Sequence, residues 1–141
     1  MATLSAENKY NLPKEILAKD FIWEFESSLL FLEDNCLFPW VILVPKKEVK
    51  NMLGLTTNER LLLMKEMETV ERMVDALFNP FQINIAMFGN KVPRLHVHII
   101  ARFEGDATFP STAFHAEPLP YKIPQKLEVT KKILQYLHFN T

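Results

Sequence analysis

Residues 92–100 read Val-Pro-Arg-Leu-His-Val-His-Ile-Ile, and the two histidines two positions apart are where this chain can do chemistry. A half-buried strand sends successive side chains to opposite faces. On a strand over 93–103, Leu95, Val97, Ile99, Ala101 and Phe103 share one face. Arg94, His96, His98 and Arg102 share the other, with Ile100 as its apolar member. The two imidazoles then stand about 6.5–7 Å apart. Imidazole titrates near neutral pH, so one ring can attack a phosphate ester while its neighbour hydrogen-bonds the phosphate oxygens. Lys91, Arg94 and Arg102 lie where positive charge can offset charge building on a phosphoryl group. Attack by a protein nitrogen calls for no metal and no cofactor.

Two other readings of the same strand compete with this one. A solvated histidine pair on the open face of an antiparallel sheet needs no function. Alternatively, imidazoles at i and i+2 can chelate zinc, but a third ligand is required. The candidates are His115, Asp34, Glu48 and Cys36, each in a different segment, and no second His/Cys pair has ligand spacing.

The elements that must position the histidines are legible around them. Residues 1–12 form a polar N-terminal arm, and 13–141 a single domain ending in a loop and a helix. Pro13 opens a short helix over "PKEILAKD". In "FIWEFES", Phe21, Trp23 and Phe25 alternate with Ile22, Glu24 and Glu26; "SLLFLED" follows a Ser27-Ser28 turn, which predicts a hairpin. "WVILVP" (40–45) is nearly continuously apolar and predicts a strand buried on both faces. Thr56 with Glu59 has the form of a capping box, and Leu63, Met67, Val70, Val74 and Leu77 recur at helical spacing until Pro80. Leu62, Met64, Met73 and Phe78 widen that surface beyond one stripe, which fits a well-buried core helix or, alternatively, a second stripe packed against a twin subunit. "FQINIAMF" (81–88) is a strand, Gly89-Asn90 a turn, and the proline-rich 104–124 an irregular loop or covering arm. A last amphipathic helix over 125–138 presents Leu127, Leu134 and Leu137. Strands, one long helix and more strands, without a repeated βαβ unit, indicate an α+β fold with an antiparallel sheet.

Bulk properties narrow the partners. The 141 residues suit one domain, and 48% hydrophobic residues suffice for a core. A net charge of -1 supplies no field to hold nucleic acid or an anionic membrane. No apolar run approaches the roughly 20 residues needed to span a bilayer, and no signal core precedes residue 15. The lone Cys36 fits a reducing, cytoplasmic setting. Three glycines rule out a glycine-rich phosphate loop.

The segment "NIAMFGNKVPRLHVHIIAR" (84–102) resembles the signature of the histidine-triad (HIT) family of nucleotide hydrolases and transferases, in its bacterial, diadenosine-polyphosphate-hydrolase-like branch. That signature alternates three histidines with hydrophobic residues after a Gly-Gln/Asn turn. "FPWVILVPKK" (38–47) is similar to the family's earlier strand ending Val-Pro-Lys/Arg, and "DATFPSTAF" (106–114) to the loop after the histidine strand. The resemblance implies an antiparallel meander with one long helix, its sheet continued across a homodimer. His96 falls on the nucleophile that takes the nucleotidyl group, and His98 on the last histidine, which binds phosphate and helps the leaving group. Asn84 and Asn90 match phosphate-contacting positions, and Lys91 is placed beside them by inference. Asp34 or Asn35 matches the ribose-binding position, with Phe31 and Leu32 beside the base. The implied substrate is a nucleoside phosphate ester, anhydride or phosphoramidate. One departure matters. Arg94 replaces the first histidine, and arginine cannot accept a hydrogen bond. Arg94 could keep the attacking nitrogen of His96 unprotonated by charge repulsion, bind a distal phosphate, or leave a non-catalytic nucleotide-binding module. Glu48 also stands where a histidine is frequent.

Overall fold

Strand-forming stretches rich in β-branched and aromatic residues build the sheet that carries the histidines. In the computed structural model, which describes residues 8–141, the chain begins with a short helix, α1 (Lys14–Leu17), behind Pro13. β1 (Asp20–Glu24), β2 (Ser28–Leu32) and β3 (Trp40–Pro45) then follow one another as an antiparallel meander. β3 hands the chain to the long helix α2 (Thr57–Phe78), which carries it to β4 (Gln82–Ala86) at the far edge. β5 (Val97–Arg102) returns between β3 and β4, so the described strands lie in the order β1-β2-β3-β5-β4. The fold is the expected α+β architecture with one long helix. A C-terminal helix, α3 (Ile123–Asn140), closes the chain.

α2 starts where the capping box predicts. Thr56 Oγ1 accepts from the Glu59 amide at 3.2 Å, and Glu59 Oε1 accepts from the Thr56 amide at 2.7 Å. It stops at Asn79, which adopts a left-handed conformation (φ 47°) ahead of Pro80. Leu63, Met67, Val70, Met73 and Val74 form its buried stripe. Glu66 is buried in the same stripe and accepts from the Ser27 amide (2.9 Å), Ser27 Oγ (2.7 Å) and Ser28 Oγ (2.6 Å), which locks the β1–β2 turn onto the helix. Leu61 and Met64 stay exposed.

The sheet is covered on both faces. One face packs Leu30, Leu32, Val41, Leu43, Val97, Ile99 and Ala101 against α2 and against Ile133 and Leu137 of α3. The other packs Leu29, Phe31, Trp40, Ile42, Val44 and Ile100 against Leu12, Ile16, Phe38 and Ala113. This second face carries the site.

Two local patterns differ from the sequence expectation. A bulge between Phe21 and Trp23 breaks the alternation in β1, so Ile22, Trp23 and Phe25 all pack with the α2-side core while Phe21 joins the opposite one. In α3 the buried residues are Thr130, Ile133 and Leu137, whereas Leu127 and Leu134 of the predicted stripe are exposed. Of the predicted polar arm, residues 1–7 lie outside the described residues. Residues 8–12 are docked: Asn8 exchanges two hydrogen bonds with the Leu12 backbone, and Leu12 is buried. Among the described residues no helix is long and apolar enough to cross a membrane.

Candidate active site

β5 begins at Val97, so His96 stands one residue ahead of the strand and His98 within it. The segment entering β5 is irregular because its amides are diverted. Arg94 N donates to Val92 O and Leu95 N donates to Val49 O, both at 2.8 Å. The two-face alternation nevertheless holds: Leu95, Val97, Ile99 and Ala101 go to the α2 side. The ring centroids of His96 and His98 lie 5.0 Å apart at 70°, closer than the spacing of alternate strand residues, since His96 is off the regular pleat.

The two imidazoles are held in opposite protonation patterns. His96 Nδ1 lies 2.6 Å from the backbone oxygen of Arg94. A carbonyl only accepts, so Nδ1 carries a proton, and in the neutral ring Nε2 keeps the lone pair. His98 Nδ1 lies 3.1 Å from Trp40 Nε1, which only donates. His98 Nδ1 is therefore unprotonated and its proton sits on Nε2. Burial pushes the His98 ring down to about 4, assisted by the neighbouring His96 and Lys19, so His98 is neutral at physiological pH.

Both rings line one cavity of about 800 Å³. Its walls come from α1 and the turn that follows it (Ile16, Lys19), the start of β3 (Trp40), the β4–β5 turn (Phe88–Val92) and the loop after β5 (Thr112–Phe114, Ala116–Pro118). Glu33 lies in it, paired with Lys19. Gly89 turns the chain at φ 71°, a conformation that favours glycine. A smaller recess of about 280 Å³ adjoins it, sharing Phe88, Gly89 and His96 and adding Lys50 and Asn51.

Of the residues singled out in the sequence, His96, His98, Asn90, Lys91 and Asn35 come together in the large cavity. Asn35 is buried, its Oδ1 accepting from the Leu37 and Leu119 amides at 3.1 and 3.4 Å. The others stand elsewhere. Asp34 turns away, accepting from the Tyr121 amide just ahead of α3 and pairing with Lys126 in its first turn. Phe31 and Leu32 are consecutive on β2, and the pleat sends them to opposite faces: Phe31 packs edge-on against Phe21, Leu32 faces α2, and neither lines the cavity. Asn84, on β4, accepts from Arg102 at 2.9 Å.

Arg94 is the sharpest departure from expectation. Its guanidinium is buried away from the cavity and donates to the carbonyls of Tyr10 (3.1 Å), Asn11 (3.0 Å), Pro45 (2.9 Å) and Lys46 (3.2 Å). Its Nε has no partner among the described residues. The side chain thus clamps the N-terminal segment to the end of β3. Its own carbonyl, through the peptide that Leu95 N ties to Val49, holds His96. Glu48, at the other position that departs from the family pattern, accepts from Asn11 beside this clamp.

Arg102 likewise does not face the cavity. It pairs with Asp106 through Nε (2.8 Å) and Nη2 (3.0 Å), donates to Ser111 O (2.7 Å), and lies over the rings of Phe38 and Phe109. The Arg102 guanidinium, with the amides of Phe103, Thr108 and Phe109, holds the Asp106 carboxyl far below the usual carboxylate range. These bonds fold the loop that delivers Phe114 onto Trp40 (5.0 Å) and His98 (5.1 Å), with Phe88 edge-on at 5.1 Å.

Sequence reasoning assigns Trp40 to the core and does not single out Lys19, Phe88 or Phe114. Trp40 is buried, but its indole N–H serves His98. The usable signal is that the strand holding Trp40 ends in the same Val-Pro-Lys pattern that pairs with the histidine strand, where a tryptophan needs a hydrogen-bond partner. Among the described residues no group of three or more His, Cys, Asp or Glu side chains could hold a metal ion.

The comparisons with known proteins agree on the fold. The model of the HIT domain matches residues 14–105, more than half of the chain. A histidine triad protein from Bradyrhizobium japonicum superposes with a TM-score of 0.86 at 27% identity, over 89% of this chain and 96% of that one. A histidine triad protein from Marinobacter aquaeolei VT8 gives 0.86 at 28%, over 91% and 96%. At 20% identity the diadenosine triphosphate hydrolase of Plasmodium falciparum shares the fold, with a TM-score of 0.65 over 90% and 79%. No match is found among curated protein sequences. The chain belongs to the HIT-domain family.

Proposed function

We propose that the protein is a nucleotide hydrolase or nucleotidyl transferase in which His96 attacks the α-phosphorus of a nucleoside phosphate. One observation carries this reading: two imidazoles in one cavity, one with a bare Nε2, the other with a proton on Nε2. The first is the arrangement of a nucleophile and the second that of a donor to phosphoryl oxygens. In the first step the Nε2–P bond forms and the bond to the leaving group breaks. The cationic nucleotidyl-imidazole keeps its Nδ1 proton on the Arg94 carbonyl. Water then cleaves the P–N bond, releasing the mononucleotide and a proton and restoring His96. Asn90 and Lys91 on the turn are the proposed phosphate contacts, and Asn35 meets the ribose. A histidine is not a rigid base alone: fixing its ring turns attack into a near-unimolecular step. Membership of a family that holds nucleotide hydrolases supports the substrate class. A reducing cytoplasm remains the proposed setting.

The proposed assembly is a homodimer joined through α2 and β4. β4 is the outer strand of the sheet and exposes Ile85, with Phe81 and Met87 flanking it, while α2 exposes Leu61 and Met64.

The test is His96→Ala with a diadenosine polyphosphate, read by product release and by intact mass for a nucleotidyl adduct. Turnover and adduct should vanish together. Retention of activity within a few-fold removes His96 from the nucleophile role. Ligand-induced thermal stabilisation by AMP without turnover in the wild type turns the protein into a binding module.

A further inference from the structure

We infer that Trp40 makes this site selective for phosphoanhydride substrates, whose leaving group departs as an oxyanion, over phosphoramidates and alkyl esters, whose leaving group needs a proton. The inference rests on the nucleotidyl-transfer reading and narrows its substrate class to nucleoside and dinucleoside polyphosphates.

The geometry of His98 carries it. To protonate a leaving group, an imidazole must first be an imidazolium, with hydrogens on both nitrogens. Trp40 Nε1–H already points at His98 Nδ1 from 3.1 Å, and both residues are buried. A second hydrogen on Nδ1 would face the indole hydrogen, so the bond to Trp40 would have to break inside a packed wall. Phe114 packs edge-on against both rings. Burial opposes the charge further, holding the ring at about 4. A neutral His98 can donate a hydrogen bond from Nε2 but cannot give the proton away, since imidazolate would result.

The two kinds of leaving group respond differently. In an anhydride, the electron pair of the breaking P–O bond goes to the bridging oxygen of a departing phosphate chain. That oxyanion is stable near neutral pH and is served by a hydrogen bond from Nε2–H. In an alkyl phosphoramidate, the electron pair of the breaking P–N bond goes to nitrogen, and the amine must gain a proton as it leaves. Nothing in the Trp40–His98 pair supplies it.

The experiment compares a diadenosine polyphosphate with an alkylamine phosphoramidate of AMP, on the wild type and on Trp40→Phe. General acid catalysis contributes about 10²- to 10⁴-fold, so wild-type kcat/KM should favour the anhydride by about 100-fold or more. Trp40→Phe frees Nδ1, and the ratio should narrow by about tenfold or more. Because the variant can lose its fold, ring-15N spectra of the wild type provide a second readout. They should show His98 with one proton, on Nε2. Equal turnover of both substrates by the wild type, an unchanged ratio in a folded Trp40→Phe, or an imidazolium or Nδ1–H form of His98 overturns the selectivity while leaving nucleotidyl transfer standing. No turnover and no adduct with either substrate refutes nucleotidyl transfer itself and the selectivity with it.

Discussion

Replacing Arg94 tests what the departure from three histidines means. If Arg94 were a decayed catalytic position, Arg94→His would restore the family's pattern and activity would hold or rise. The observed contacts predict the opposite. The guanidinium satisfies carbonyls from two segments, those of Tyr10, Asn11, Pro45 and Lys46. Imidazole has at most two N–H groups and a shorter reach, so it cannot bridge both. Each charge-assisted bond is worth about 1.5–3 kcal/mol, and removing the cation relieves the penalty of burying it, which the unpartnered Nε leaves partly uncompensated. The net destabilisation should be about 3 kcal/mol for Arg94→His and Arg94→Met alike, or a Tm lowered by about 10 °C. Function should fall for a separate reason. The clamp sets the Pro45–Val49 stretch, whose Val49 carbonyl orients the peptide that presents the Arg94 oxygen to His96. At a temperature where both variants are folded, kcat per folded molecule should drop at least tenfold with KM changed less. Urea unfolding and single-turnover nucleotidylation read the two effects. An Arg94→His protein as stable and as active as the wild type would refute the clamp and return Arg94 to the role of a lapsed triad member.

Two further outcomes follow from the structure. His98 is held at about 4, below its ordinary 6.5, so between those values the unfolded chain binds a proton that the fold refuses. Its contribution is fully present above pH 6.5 and is lost as pH falls toward 4, up to about 3 kcal/mol. The stability difference between wild type and His98→Gln, from urea unfolding at pH 7.5 and 4.5, should shift against the wild type on acidification, and parallel curves would contradict the buried neutral ring. Light scattering at micromolar concentration should give twice the chain mass, falling to one chain when Ile85→Lys and Met64→Lys are combined; a monomeric wild type would discard the α2–β4 interface.

The sequence by itself determined the elements and the placement of the histidine pair. Period-two alternation placed His96 and His98 opposite the aliphatic face of one strand, the Thr56–Glu59 box set the start of α2, and the uninterrupted apolar run at 40–45 gave a strand buried on both faces. These are local signals, written in spacing and in the capping chemistry of neighbouring residues. What they could not decide is which polar groups meet. Arg94 shares the histidines' stretch of sequence, yet it is drawn to carbonyls of residues 10–11 and 45–46, far along the chain. Asp34 and Asn35 are adjacent, yet one serves Tyr121 and the other lines the cavity. Trp40 reads as core from its neighbours and becomes a partner of His98 only when β3 and β5 pair, 58 residues apart in sequence. A buried polar group takes whichever partner the fold brings within about 3 Å, and that choice follows from strand order and register, which no single stretch of residues encodes.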